Sequence, residues 1–247
     1  MKEKDFYENL KDWDFSFIKR EEERLTNWEF LDELEKLVNK DSVILDLGTG
    51  GGEKVLTYPV VREIVATDFS EGMIETAKMN LLDSGRNDVT FKVMDNLNMN
   101  VENDYFDVVT ARNTVTDMKG IYACLKEGGY LLLHGVDKLD CWELKRLFGR
   151  GQGFYDPKPI SLIDYENALD AGFCDVELVP LHVREYYKTI DDLLALLYKT
   201  PILDDFSDFV SERKEIDLDL LNKYVDSHVC DKGIVLVRRY YGISAKK

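Results

Sequence analysis

Asp46-x-Gly48-x-Gly50-x-Gly52 closes the apolar run Val43-Ile-Leu-Asp-Leu47, and a second apolar run, Ile64-Val-Ala-Thr67, ends on Asp68. Glycine accepts backbone angles and close approaches that a Cβ forbids. Three glycines at alternate positions therefore let a turn pass directly beneath a ligand. A carboxylate on the next strand has two acceptor oxygens and takes hydrogen bonds from two neighbouring hydroxyls at once. Strand, glycine turn, then an acid about twenty residues on is how a doubly wound sheet holds an adenosine. The dinucleotide fingerprint needs a further glycine three residues after Gly50, and Glu53 stands there, so that pattern fails. No Gly-Lys-Ser/Thr follows, which removes a P-loop.

Three further sites lie where apolar runs end. Val93-Met-Asp95-Asn96 places a carboxylate after a third run. Phe106-Asp-Val-Val-Thr-Ala-Arg112-Asn113 ends a fourth, and Leu131-Leu-Leu-His134 a fifth. In such a sheet the carboxyl ends of the strands face the ligand crevice. Each residue also has a structural reading. Asp95-Asn96 is a good turn former. Arg112 can pair with Asp117 or clamp a cofactor or substrate. His134 is either a general base or a structural hydrogen-bonder.

The Asp46–Gly52 segment resembles the first motif of the class I S-adenosylmethionine-dependent methyltransferases, in their small-molecule, type 11-like branch. The resemblance spans residues 40–135. Ile64–Ile74 is similar to the family's second signature. It implies Asp68 on the ribose hydroxyls and Phe69 and Met73 bordering the adenine, although Met73 equally suits the core of its helix. Asp95 is then expected to meet the adenine amine, with a backbone N–H near Asn96 meeting the ring. Gly48, Thr49, Gly50 and Gly52 form the turn under the amino-acid part of the cofactor. Asp46 orders that turn and the ligand ammonium, and Arg112 contributes to the same site. Weak catalytic candidates are His134, Arg112 and Asn113. Arg112-Asn-Thr-Val differs from the Asn-Pro-Pro-Tyr/Phe motif with which some members methylate base nitrogens. Leu125-Lys-Glu-Gly-Gly-Tyr-Leu-Leu-Leu133 looks like the family's entry into the fifth strand.

The elements that must hold these residues follow from the pattern. Strands are expected at 43–47, 64–68, 89–94, 106–111 and 129–135, with helices starting near Gly52, over Glu71–Leu82 and over Asp117–Leu125. Ser70 reads as the N-cap of the second of these helices. Alternation of strand and helix means a parallel sheet. Beyond it come a Gly/Pro-rich loop at 149–159, a helix over Ile160–Ala171 with Gly172 at its C-cap, a strand near 175–187, helices within 189–228 broken at Pro201, and a strand at 233–241. The family resemblance implies a doubly wound, mostly parallel seven-stranded α/β sheet, its last strand antiparallel between the fifth and sixth. Leu10, Trp13, Phe17, Leu25, Trp28, Leu31, Leu34, Leu37 and Val38 recur at helical spacing, and Phe6, Tyr7 and Phe15 add aromatic character. Residues 1–40 are thus expected as an N-terminal helical cap, and 41–247 as the methyltransferase domain with a helical insert at 189–228.

The 247 residues suffice for one sizeable domain, and 45% hydrophobic content supports a real core. A net charge of −16 disfavours nucleic-acid backbones and anionic membranes as main partners, since both call for a cationic face. The four cysteines and three histidines are scattered, so no metal centre or disulfide framework is expected. The start, Met1-Lys-Glu-Lys-Asp-Phe6, lacks an apolar signal core, and no apolar stretch approaches bilayer length, which suggests a cytoplasmic protein. The expected activity is methyl transfer from S-adenosylmethionine to an oxygen, nitrogen or carbon of a small molecule. The alternatives are RNA or protein methylation, and a non-catalytic adenosine-binding regulator on the same fold.

Overall fold

The computed structural model describes residues 15–204 and 214–247. The expectations for residues 1–14, including Phe6, Tyr7, Leu10 and Trp13, and for the 205–213 part of the insert lie outside the described residues. The parallel strands are β2 (Val43–Leu47), β3 (Glu63–Asp68), β4 (Val89–Val93), β5 (Phe106–Arg112) and β6 (Leu125–Val136). Between and after them come α2 (Glu71–Ser84), α3 (Met118–Cys124), α4 (Trp142–Phe148) and α5 (Ile160–Ala171). The chain then forms β7 (Cys174–Tyr187), α6 (Ile190–Lys199), α7 (Leu218–His228), the short β8 (Val229–Cys230) and β9 (Gly233–Lys246). Two elements precede the series, β1 (Arg20–Arg24) and α1 (Phe30–Leu37).

The sheet order is β1-β7-β9-β6-β5-β2-β3-β4, with β8 paired to β9. β9 is antiparallel to both β6 and β7, between which it lies. The seven strands of the expected sheet are present, and β1 and β8 are added to them. Each face of the parallel part is apolar, as strands buried on both sides require. Val43, Leu45, Val109, Leu131 and Ile243 pack against α3 and α5 on one face. Ile44, Val108, Leu132 and Ala66 pack on the other against Phe30 and Leu34 of α1 and Ile74 and Ala77 of α2.

Local signals account for most helix ends. The Ser70 hydroxyl accepts from the Met73 N–H at 3.3 Å at the start of α2, and Gly85 ends that helix in the left-handed region. Asp117 caps α3. Thr189 and Asp192 form a reciprocal capping box on α6, and Asp217 caps α7.

Two expectations fail. The segment after Gly52 is only a 3-10 turn at Val55–Thr57, because the glycines before it and Pro59 after it leave too few residues for an α-helix. Residues 15–40 are not continuous helix. Arg20–Arg24 is an edge strand paired antiparallel with Val183–Tyr187, and helix is confined to Phe30–Leu37.

β7 and β9 outrun the rest of the sheet. β6 pairs with β9 only from Tyr130↔Lys246 to Val136↔Tyr240, whereas β7 continues to Tyr187↔Ile234. The projecting ribbon carries a second core in which Tyr187, Ile234 and Leu236 meet Leu144 of α4, Leu193, Leu196 and Leu197 of α6, and Leu221 and Tyr224 of α7. Buried charge ties it together. Arg238 of β9 donates to Asp140 at 3.0 Å and pairs with Glu185 of β7 at 3.3 Å, and Arg20 of β1 reaches the same Glu185 at 3.4 Å. The added helices are therefore built on extended strands of the main sheet.

Candidate functional site

The glycine turn leaves β2 with Gly48, Gly50 and Gly52 all at positive φ, 71°, 57° and 82°. A Cβ on Gly48 would lie 2.6 Å from the Thr114 side chain, and one on Gly52 would lie 2.8 Å from Phe91 Cζ. Both positions thus require glycine for conformation and for space. The Thr49 N–H donates to the Thr67 carbonyl at 2.8 Å, which seats the turn against the end of β3.

Asp68 ends β3 and is nearly buried. One carboxylate oxygen accepts from the Gly50 N–H and the other from the Ser70 N–H, both at 2.9 Å. Each oxygen keeps a second lone-pair site. The carboxylate therefore joins the glycine turn to the start of α2 while retaining acceptor capacity on each oxygen. Phe69, next in the chain, is 44% exposed, whereas Met73 is buried within α2.

Asp46 precedes the glycine turn by two residues. It lies within β2, on the face of Ile44, and is buried. One of its oxygens accepts from the Tyr58 hydroxyl at 2.9 Å and the Thr110 hydroxyl at 2.6 Å. Burial pushes the carboxyl above its ordinary range, an effect that these two donors partly offset. Burial and the neighbouring Asp46 likewise push the Tyr58 phenol well up. Asp46 thus supports the turn from beneath, through two hydroxyl partners.

After β4, Asp95 is exposed and Asn96 buried. Asp95 accepts from the Leu97 N–H at 2.9 Å, the turn-forming role. Asn96 donates to Thr114 at 3.0 Å and to the Val115 carbonyl at 3.3 Å, drawing the loops after β4 and β5 together. Its Oδ1 is buried with no hydrogen-bond partner.

Arg112 ends β5. Asp117, the partner considered for it, instead caps α3 by accepting from the Lys119 N–H. The Arg112 guanidinium carbon stands 4.9 Å from the Phe30 ring centre, and its Nε is buried without a partner. Asn113 follows at φ 51°, strained for a residue with a Cβ. Its N–H donates to the His134 carbonyl at 2.8 Å, and its Oδ1 lies 3.1 Å from His134 Nδ1. His134 faces Arg112 across the β5–β6 register. Burial, with the Arg112 charge adding to it, lowers the histidine to about 3, so the ring is neutral at physiological pH.

The structure thus gathers Gly48–Gly52, Asp68, Phe69, Asp95, Asn96, Arg112, Asn113 and His134 at the carboxyl ends of five adjacent parallel strands. Thr110, Tyr58, Phe30 and Trp28 were not found as site residues from sequence. Thr110 had a signal, because it precedes Arg112 by two and so shares its face. Tyr58 had none, since it reaches Asp46 only through the fold.

The parallel sheet with a reversed last strand, the glycine turn and the acid on the neighbouring strand belong to a Rossmann-like fold. Residues 44–129 match the methyltransferase-domain family. The chain therefore carries a methyltransferase domain on the Rossmann-like methyltransferase fold. No curated protein matches the chain by sequence. Among solved structures, a Bacillus halodurans protein described as a candidate methyltransferase is 21% identical, with TM-score 0.58 over 88% of this chain and 98% of that one. The YcgJ protein of Bacillus subtilis is 18% identical, with TM-score 0.53 over 88% and 97%. A Haemonchus contortus phosphoethanolamine N-methyltransferase, solved with phosphomonomethylethanolamine and S-adenosylhomocysteine, is 22% identical, with TM-score 0.52 over 88% of this chain and 52% of that one. These likenesses are of fold. Among the described residues no helix is long and apolar enough to cross a membrane.

Proposed function

We propose that the chain methylates a small molecule, with the cofactor laid across the carboxyl ends of β2, β3, β4 and β5. The observation that carries the cofactor's placement is Asp68: its two oxygens each hold one backbone N–H and each retain an acceptor site, a fit to adjacent ribose hydroxyls. Two buried, unpartnered polar atoms at the same crevice, Asn96 Oδ1 and Arg112 Nε, also fit a polar ligand. In this reading Phe69 borders the adenine, with Met73 behind it. Asp95 accepts from the adenine amine, and the backbone at Asn96 meets the ring. The turn of Gly48, Thr49, Gly50 and Gly52 lies under the amino-acid part. Arg112, stacked on Phe30, takes the carboxylate.

When bound, the cofactor supplies a methyl group on a sulfonium, which is displaced in line by a nucleophile. The protein's own work is to position the acceptor and exclude water. A small acceptor is supported by the helices carried on the β7–β9 ribbon, which continues past the carboxyl end of β6. The acidity of the chain supports the same choice over RNA. The test is incubation with methyl-labelled cofactor and a size-fractionated cell extract. Label is expected in a fraction below about 1 kDa. Label only in RNA or protein would refute the small acceptor, and no transfer at all would favour a non-catalytic regulator.

A further inference from the structure

One end of the crevice carries polar tips that neither the fold nor the cofactor reading uses. Residues paired across strands share a face of the sheet. His134 faces Gly242 of β9, and the next same-face pair is Val136 with Tyr240. Trp28 covers Gly242 so closely that a Cβ there would meet its Cζ2 at 2.6 Å. The indole lies nearly parallel to the His134 ring, with centres 6.5 Å apart. Tyr240 lies on the imidazole's other contact, 5.2 Å away, and is itself backed by the Arg238 guanidinium at 5.0 Å. The result is an aromatic wall of Trp28, His134 and Tyr240 beside the end of β5.

The wall presents one acceptor and one donor. Among the described residues the His134 ring has one hydrogen bond, from Nδ1 to Asn113 Oδ1. With that amide oxygen as acceptor, Nδ1 carries the proton and Nε2 the lone pair. Among the described residues neither Nε2 nor the Tyr240 hydroxyl has a partner. Two positive groups act on the ring, Arg112 of β5 and Arg24 of β1, the latter itself paired with Glu29. A field that disfavours an imidazolium equally disfavours a substrate ammonium.

We propose that this wall is the acceptor subsite, and that it takes a planar, uncharged ring bearing a hydroxyl, a phenol. The inference rests on the methyltransferase reading above. A phenol hydroxyl fits both polar tips: it donates to His134 Nε2, accepts from the Tyr240 hydroxyl, and keeps a lone pair for attack. An arylamine nitrogen has one lone pair, which a hydrogen bond from Tyr240 would occupy. In the transfer, the phenol oxygen forms a bond to the methyl carbon while the carbon–sulfur bond breaks and its electron pair leaves on sulfur. The new oxygen–carbon bond makes the hydroxyl proton strongly acidic, so even a weakly basic Nε2 takes it and releases it to solvent.

The test uses the full chain saturated with S-adenosylhomocysteine, titrated with phenol and, separately, with ethanolamine, and followed by saturation-transfer NMR. Phenol is expected to bind and ethanolamine not to. Trp28→Ala and His134→Phe are each expected to weaken phenol at least tenfold, with S-adenosylhomocysteine affinity kept within about twofold as the check on folding. Tyr240→Phe keeps the ring and is expected to weaken phenol several-fold. Ethanolamine binding as well as phenol, no phenol binding to the loaded protein, or phenol affinity unchanged in His134→Phe and Tyr240→Phe would each overturn the subsite. Failure of the parent protein to bind S-adenosylhomocysteine would instead overturn the cofactor placement on which the subsite depends.

Discussion

Replacing Asp68 by alanine removes two kinds of interaction that can be measured apart. The carboxylate holds the Gly50 and Ser70 N–H groups at 2.9 Å each. Without it, two sheltered donors lose their acceptor, at about 1–3 kcal/mol of stability. A lower melting temperature is therefore expected, with the fold retained, because the apolar cores on both sheet faces are untouched. The second loss concerns the ligand. Two ribose hydroxyls lose a charged acceptor, and hydrogen bonds to charged groups are worth about 1.5–3 kcal/mol each but do not add fully. A loss of about 2–4 kcal/mol in S-adenosylhomocysteine binding follows, or roughly 30- to 1,000-fold in Kd. A disordered glycine turn alone would also weaken binding, so calorimetry with adenosine and 2′,3′-dideoxyadenosine separates the two effects. The parent protein is expected to prefer adenosine strongly, and Asp68→Ala to have lost that preference. If the variant binds S-adenosylhomocysteine like the parent, or keeps the preference for adenosine, Asp68 does not hold the ribose.

Arg112→Gln is expected to weaken S-adenosylhomocysteine at least tenfold while leaving 5′-methylthioadenosine, which lacks the carboxylate, within about twofold; equal loss of both in calorimetry refutes the clamp. Gly52→Ala forces a left-handed backbone at φ 82° and a 2.8 Å contact with Phe91, so denaturant titration should show a loss above about 1 kcal/mol from the backbone alone; an unchanged midpoint contradicts it. His134, lowered to about 3 in the folded chain from an ordinary 6.5, binds its proton more readily when unfolded. Its contribution to stability is therefore complete above about pH 6.5 and is lost as pH falls toward 3. His134→Gln should flatten the fall in unfolding free energy over that window, and an identical pH slope in the two proteins would show that the ring titrates normally.

The parallel series was legible because each of its strands is buried on both faces and reads as an apolar run ending in glycine or an acid, as Val43–Leu47 and Ile64–Asp68 do. β1 was not legible. Arg20-Glu-Glu-Glu-Arg24 has no buried face and hence no alternation, and its place is set by backbone pairing to β7 and by Glu185, more than 160 positions away in the chain. The periodic apolar residues on either side of it suggested helix, and among the described residues only Phe30–Leu37 bears that out. At the site, the turn and Asp68 could be placed from spacing. The inward direction of Asp46 could not, because it depends on Tyr58 and Thr110 closing over it from two other elements. The aromatic wall was equally hidden: Trp28 reaches His134 only because Gly242, on the last strand, leaves room for the indole.

Amide hydrogen exchange of the full chain, with and without S-adenosylhomocysteine, tests most directly whether the crevice at the strand ends is the cofactor site. Added protection is expected at Gly48–Gly52, at Asp68–Met73 and around Asp95–Leu97, all three in one experiment. Protection at none of these segments under saturating ligand, or at some other surface only, would contradict it.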